Sequence, residues 1–442
     1  MSFKRSRRGP KLLATVVGLS CGFAAGCEEE LPVAISDDLP GEPITVEVDV
    51  PWSDFASNLE VFGGYGSPRD LDDGFVANDF AGTLDARTLL RFSSYPRSAT
   101  VRDETGTLRP DSNLTHVGGR LVAFFDTDAS TNTGAVTLEL GALQAEWDSK
   151  TVSWSFAVDT INDQRAWSEP GAGPVLDFGT AVWDPADGDS AVFALDSAMV
   201  AAWSDTTDLS AGARISLVEP GSRLLLRGAA LRVDARPSLD PDTLVELLPQ
   251  TRTTTFIYDP FPTPPADGIR IGGAPSWRTV LDLAIPEQLD GPAEFCAVVS
   301  CPHVLEPGQI SYAALVLTSR SSEDAFQPTD SIILDVRPVF DRSAMPKAPL
   351  GNSLIGGVRG RAVPPGAFGS DPGVQIEIPF TSFSRDLLRG TDTSGNPAPG
   401  TLALLSVFEP YSIAFASFEG PGSASEPILR LVLTIGPPVE LP

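Results

Sequence analysis

Val136-Thr137-Leu138-Glu139-Leu140 places an apolar residue at every second position with a polar one between. Side chains of an extended strand point alternately to opposite faces. This period of two therefore directs Val136, Leu138 and Leu140 to a core and Thr137 and Glu139 to water. The pattern recurs along the chain: Ile44, Val46, Val48 and Val50 alternate with Thr45, Glu47 and Asp49, and Val374, Ile376, Ile378 and Phe380 with Gln375, Glu377 and Pro379. Turn formers punctuate these runs, as at Pro220-Gly221, Gly272-Gly273 and Pro364-Pro365-Gly366. Many short half-buried strands joined by such turns predict an all-β fold of antiparallel sandwich or jelly-roll type. Helix is expected at two places. One runs from Asp196, a natural N-cap, to Trp203; the other runs from Ser384 to Arg389 and is closed by Gly390.

The strand pattern is written twice. Arg87 to Pro96 is echoed by Arg278 to Pro286, Arg120 to Phe124 by Ala313 to Leu317, and Val136 to Leu140 by Ile332 to Val336. Ala191 to Leu195 is echoed by Val374 to Ile378, Val218-Glu219-Pro220 by Phe408-Glu409-Pro410, and Leu244 to Leu248 by Leu429 to Leu433. The echoes keep one order and a separation of roughly 190 residues, which predicts two copies of one domain. The expected organisation is a signal segment at 1–26, a tether at 27–42, and two tandem sandwiches at 43–249 and 250–442, each with one short helix.

Together these segments resemble the DNRLRE-type domain, also grouped with carbohydrate-binding module family 96. In the first copy the resemblance is carried by Leu89-Leu90-Arg91-Phe92, the run Val136 to Trp147, and Asp148-Ser149-Lys150-Thr151-Val152-Ser153-Trp154. The helix ending at Trp203, Leu224 to Gly228, and the closing Leu244 to Leu248 complete it. The second copy keeps the order with Val280-Leu281-Asp282-Leu283, Ile413-Ala414-Phe415 and Leu429 to Leu433, but lacks the Trp-Asp-x-x-Thr-Val-x-Trp pattern. The resemblance spans about residues 43 to 435. It implies jelly-roll sandwiches in an exported bacterial protein, and polysaccharide binding as the associated activity.

The first 27 residues read as an export address. Lys4-Arg5-Ser6-Arg7-Arg8 forms a basic head, Leu12 to Phe23 a short apolar run, and Ala24-Ala25-Gly26 the small residues before Cys27. The apolar run is shorter than the ~20 residues that span a bilayer. The small residues running into Cys27 resemble a lipobox, which implies cleavage before Cys27 and lipid on it. The acidic stretch Glu28 to Gly41, with Pro32 and Pro40, is expected to be a tether. Localisation is therefore expected in the cell envelope, with the outer membrane favoured. Cys21 leaves with the signal, and Cys296 and Cys301 are expected to pair as a disulfide in an oxidising compartment.

Formal charge over the 442 residues is −27. Residues 1–26 hold five of the 31 basic residues and none of the 58 acidic ones, so the processed chain is more negative still. Such a surface repels nucleic acid and anionic headgroups, leaving a glycan or an envelope protein as the expected partner besides the membrane at the anchor. The two histidines, His116 and His303, do not sit in a metal-ligand spacing, and neither a nucleophile elbow nor a phosphate-binding loop is present. The chain is expected to be non-catalytic, with a structural spacer or a carboxylate-dependent polysaccharide hydrolase as the alternatives. No cofactor is expected beyond a structural calcium, for which the acidic loops Asp70, Asp72, Asp73 and Asp184, Asp187, Asp189 are the candidates. Trp167 and Trp183 lie in loop-like sequence and are the expected aromatic platforms for a sugar ring.

Overall fold

Alternating residues become strands wherever the pattern predicts them. The computed structural model describes residues 43–204, 211–291, 293–297, 299–355, 360–410 and 412–436. The signal segment, Cys27 and the tether lie outside the described residues. The fold is all-β, and two large antiparallel sheets hold most of the strands.

One sheet runs in the order Val175–Trp183, Val136–Leu143, Ala213–Leu217, Leu84–Phe92, Gly74–Phe80, Ser222–Pro237, Leu114–Phe125, Ser190–Asp196. Val245–Leu247 adds to Ser222–Pro237, and Thr251–Asp259 adds to Leu84–Phe92. The other sheet begins Arg361–Val363, Ile332–Val339, Thr401–Ser406, Ser276–Leu283, Ile269–Gly272, Phe415–Phe418, Ile310–Arg320. Gln375–Pro379 and Ile428–Ile435 both pair with Ile310–Arg320.

The two orders match strand for strand. Ile428–Ile435 takes the place of the second half of the long strand Ser222–Pro237. The helix Ser197–Ala202 follows one strand as Thr381–Arg389 follows its counterpart. A small hairpin, Ala99–Arg102 with Leu108–Asp111, likewise matches Gln288–Leu289 with His303–Val304. The disulfide Cys296–Cys301 staples the loop of the second hairpin, with the Cα atoms 5.4 Å apart.

The last two places of the second sheet are filled from the other end of the chain. Ile44–Val50 pairs with Ile428–Ile435, and Ala56–Tyr65 pairs with Ser276–Leu283. These are the places held by Val245–Leu247 and Thr251–Asp259 in the first sheet. The sheets thus divide the chain differently from a cut at residue 249: strands 44–65 belong with the C-terminal sheet, and Thr251–Asp259 with the N-terminal one. Backbone pairing at a sheet edge is indifferent to side-chain identity, so local sequence does not choose which edge a strand joins.

Two of the echoes shift, one through the choice of edge and one through register. Val245–Leu247 corresponds to Ile44–Val50 and not to Leu429–Leu433. In the strands Leu114–Phe125 and Ile310–Arg320 the inward residues of one core are Leu121, Ala123 and Phe125, and of the other Ala313, Leu315 and Leu317. Setting Arg120 on Ala313 is therefore one residue out of phase, which reverses the faces.

Each sheet folds around its own apolar cluster, one including Leu90, Leu121, Trp183 and Phe193, the other Leu281, Leu315, Phe380 and Leu431. A third cluster contains residues of both sheets, Phe75, Phe256 and Tyr258 from one and Trp277, Phe326 and Phe415 from the other. Residues 44–435 accordingly make one compact unit. At the helix start the Asp196 carboxylate accepts the Met199 N–H at 2.9 Å, and Gly390 closes the other helix in the left-handed region. Single helical turns also occur at Trp52–Phe55 and Ala293–Cys296.

Candidate functional site

Trp147 and Trp154 open and close the pattern Trp-Asp-x-x-Thr-Val-x-Trp, and the fold sends them to different places. The Asp148 carboxylate accepts the Lys150 N–H at 2.9 Å and the Thr151 N–H at 3.1 Å, turning the chain sharply. Trp147 is buried, and its indole N–H donates to the Ala211 carbonyl at 2.7 Å. Lys150 is left exposed on the turn, and Trp154 is half-buried. The Trp154 carbonyl accepts the Gly171 N–H at 2.7 Å, and the Arg87 guanidinium lies 4.7 Å from the centre of its ring. Burial lowers Arg87 from its ordinary value and pushes the neighbouring Arg214 down to about 10. Both donate to the Gly171 carbonyl.

Trp154 forms one wall of a cleft of about 400 Å³. The end of Thr251–Asp259 and the segment after it line the same cleft, and there Tyr258 and Phe261 stack with centroids 5.8 Å apart. Phe261 sits between Pro260 and Pro262, residues that cannot donate to a sheet ladder, and is 48% exposed. Its other neighbour is Trp277, 5.9 Å away. Charged side chains at the rim are Lys150, Asp159 and Asp259. Aromatic faces flanked by a few polar groups offer apolar contact to the C–H face of a sugar ring and hydrogen bonds to its hydroxyls.

The expected platforms lie elsewhere. Trp183 is 1% exposed, packs 4.7 Å from Phe125, and donates to the Gly188 carbonyl at 3.0 Å. Trp167 is 5% exposed and donates to the Ser153 carbonyl at 3.0 Å. Both are core residues: Trp183 ends the strand Val175–Trp183 and is not in a loop, and in each case a backbone carbonyl satisfies the indole N–H, which lets the ring turn inward. The proline flanks of Phe261 were the signal for an outward aromatic. Nothing in the spacing separates Trp154 from Trp147.

The acidic loops do not assemble a cation site. Asp70 accepts the Ser67 N–H and pairs with Arg69, Asp72 adopts a left-handed backbone, and Asp73 turns to Arg227. Asp184 accepts the Ala186 N–H at 2.9 Å and Asp189 is engaged through its carbonyl with the Phe125 N–H; Asp187 donates its own N–H to the Asp184 carbonyl. Among the described residues no group of three or more His, Cys, Asp or Glu side chains is placed to hold a metal ion. His116 packs on Tyr95, and His303 bonds Gln309 at 3.1 Å beside the disulfide.

Comparison with protein-family models and with curated proteins finds no match for this chain.

Proposed function

We propose that this chain is a non-catalytic, lipid-anchored protein of the bacterial envelope that binds a neutral glycan in the aromatic cleft. The carrying observation is that half-buried Trp154 and exposed Phe261 line one cleft together with Lys150, Asp159 and Asp259. A net charge of −27 works against anionic polymers, so neutral sugars suit the site. The export address ending at Cys27 and the Cys296–Cys301 disulfide support a place outside the cytoplasm. The resemblance to DNRLRE-type domains points the same way.

Affinity electrophoresis through gels containing neutral β-glucan, xylan or mannan tests the reading on lipid-free protein. Retardation in one gel, abolished in Trp154→Ala and Phe261→Ala, is the expected result. Unchanged mobility in every gel leaves the structural spacer. Release of reducing sugar from the retarding polymer makes the protein a hydrolase instead. Mass spectrometry of the mature N-terminus tests the anchor: acyl mass on Cys27, absent from Cys27→Ser.

A further inference from the structure

Trp147, Trp167 and Trp183 are each fixed through the indole N–H, which donates to a backbone carbonyl. Trp154, the indole at the aromatic cleft, is held by a different device. The Arg87 guanidinium lies over its ring, 4.7 Å from the centre, while Arg87 itself stands outside the cleft lining. A planar guanidinium against an indole face is attracted by the ring's quadrupole and covers that face.

The arginine is held in turn. Its Nη1 donates to the Gly171 carbonyl, and the Gly171 N–H donates to the Trp154 carbonyl at 2.7 Å. Trp154, Gly171 and Arg87 thus close a circuit of contacts: backbone to backbone, backbone to guanidinium, guanidinium to indole. Only glycine suits the middle place. Its φ is +78°, and a β carbon there would lie 2.5 Å from Arg87 Nη1 and 2.9 Å from Trp154 Cη2. Ala172 follows at φ +62° while fully buried, a conformation that a residue with a β carbon adopts only at a cost. The two left-handed residues turn two carbonyls toward two guanidinium groups, since Arg214 on the adjacent strand donates to Gly171 and Ala172 at 3.4 and 3.3 Å. Strain of this kind persists where the surroundings over-determine it, and it gathers at binding sites.

A ring already in its bound posture loses no further freedom when a ligand arrives, so affinity is not weakened by ordering it. We propose that Arg87 is a positioning residue of the cleft: clamped by the Gly171 carbonyl, it holds the Trp154 indole in the posture that receives a sugar ring. The inference rests on the glycan reading of this cleft.

Fluorine NMR of the full chain carrying 5-fluorotryptophan reads the posture, and calorimetry with laminarihexaose, xylohexaose and mannohexaose reads its use. The Trp154 resonance is the one lost in Trp154→Phe. It is expected to shift and broaden in Arg87→Met and Gly171→Ala, and to stay unmoved in Thr279→Val, which weakens the other sheet instead. Affinity for the hexasaccharide that binds should fall roughly threefold to tenfold in Arg87→Met, through a less favourable binding entropy, and vanish in Trp154→Ala. Should Arg87→Met fail to fold, Arg87→Lys, which keeps charge and a donor but not the planar group, should show the same displacement. An unmoved resonance in the Arg87 variant, or binding lost in Trp154→Ala yet unchanged in that variant, overturns the inference and leaves the glycan reading standing. No binding of any hexasaccharide overturns the glycan reading, and the inference falls with it.

Discussion

Arg430 in the last strand and Asp49 in the first form a two-point ion pair across 381 residues of chain, with Nε–Oδ1 at 2.9 Å and Nη2–Oδ2 at 3.1 Å. In the other sheet Arg232 donates to Glu246 at 2.9 Å and only 14 residues away, but diagonally, since Glu246 stands opposite Asp234 whereas Asp49 stands directly opposite Arg430. Arg430 also reaches Glu47 and Glu377, and its bonds to Asp49 foremost raise its affinity for the proton. Partly exposed ion pairs contribute little stability by themselves. The closure rests mainly on Val48 and Val50, buried against Leu431 and Leu429.

Val48→Asp places a charge in that row, and is expected to destabilise by roughly 3 kcal/mol or more. Hydrogen exchange should accelerate in Ile428–Ile435 and Ile310–Arg320 while Leu84–Phe92 stays protected. Faster exchange in Leu84–Phe92 instead would place the first strand with the N-terminal sheet.

Thr88 and Thr279 hold the same position in the two halves. Both are fully buried, and each donates its hydroxyl to the carbonyl of the next strand, Thr88 to Phe75 at 3.0 Å and Thr279 to Arg270 at 2.9 Å. Gly74 permits the close approach, since a β carbon there would collide with the Thr88 hydroxyl. Replacing either threonine with valine keeps the shape and strands a buried carbonyl. Each change should cost about 1–2 kcal/mol in urea titrations. The double variant should show the sum, because the sites are distant.

Trp167→Ala and Trp183→Ala empty packed core sites and should each lower stability by about 3–5 kcal/mol. Phe261→Ala removes an exposed ring and should cost under ~1 kcal/mol while abolishing glycan retardation. Thermal melts beside affinity gels separate the two kinds of aromatic residue. A core-sized loss of stability in Phe261→Ala would remove it from the site.

Two carboxylates give opposite pH signatures. Burial alone would raise Asp282, but hydrogen bonds from Thr401 and Asn58 and the charge of Arg342 outweigh it and hold the carboxyl below its ordinary 3.8. Its contribution is present above about pH 4 and is lost as pH falls through the folded-state value. Burial raises Glu409 above its ordinary 4.5 despite Arg278. Its contribution is present below about pH 4.5 and is lost as pH rises through the folded-state value. Urea midpoints between pH 3 and 8 should show a shallower acid-side loss in Asp282→Asn and a shallower loss with rising pH in Glu409→Gln. Profiles parallel to wild type would refute both assignments.

The pattern Trp-Asp-x-x-Thr-Val-x-Trp occurs in one half only, and the structure gives a packing reason. An outer layer of Leu89, Trp147, Trp167 and Ile257 covers the first sheet, whereas smaller residues, Val280, Ala348 and Ala403 among them, form the corresponding layer on the second.

The alternating strands with their inward and outward faces, the helix start at Asp196 and the helix stop at Gly390 were readable from the chain, because each depends on neighbours within a few residues; the strand Val175–Trp183, whose last residue reads as loop, was not. The pairing of Ile44–Val50 with Ile428–Ile435, the burial of Trp167 and Trp183, and the opening of a cleft lined by Trp154 and Phe261 were decided by the tertiary structure alone. Alternation says which face of a strand is apolar; only the packed whole decides which edge that strand joins and which rings remain uncovered.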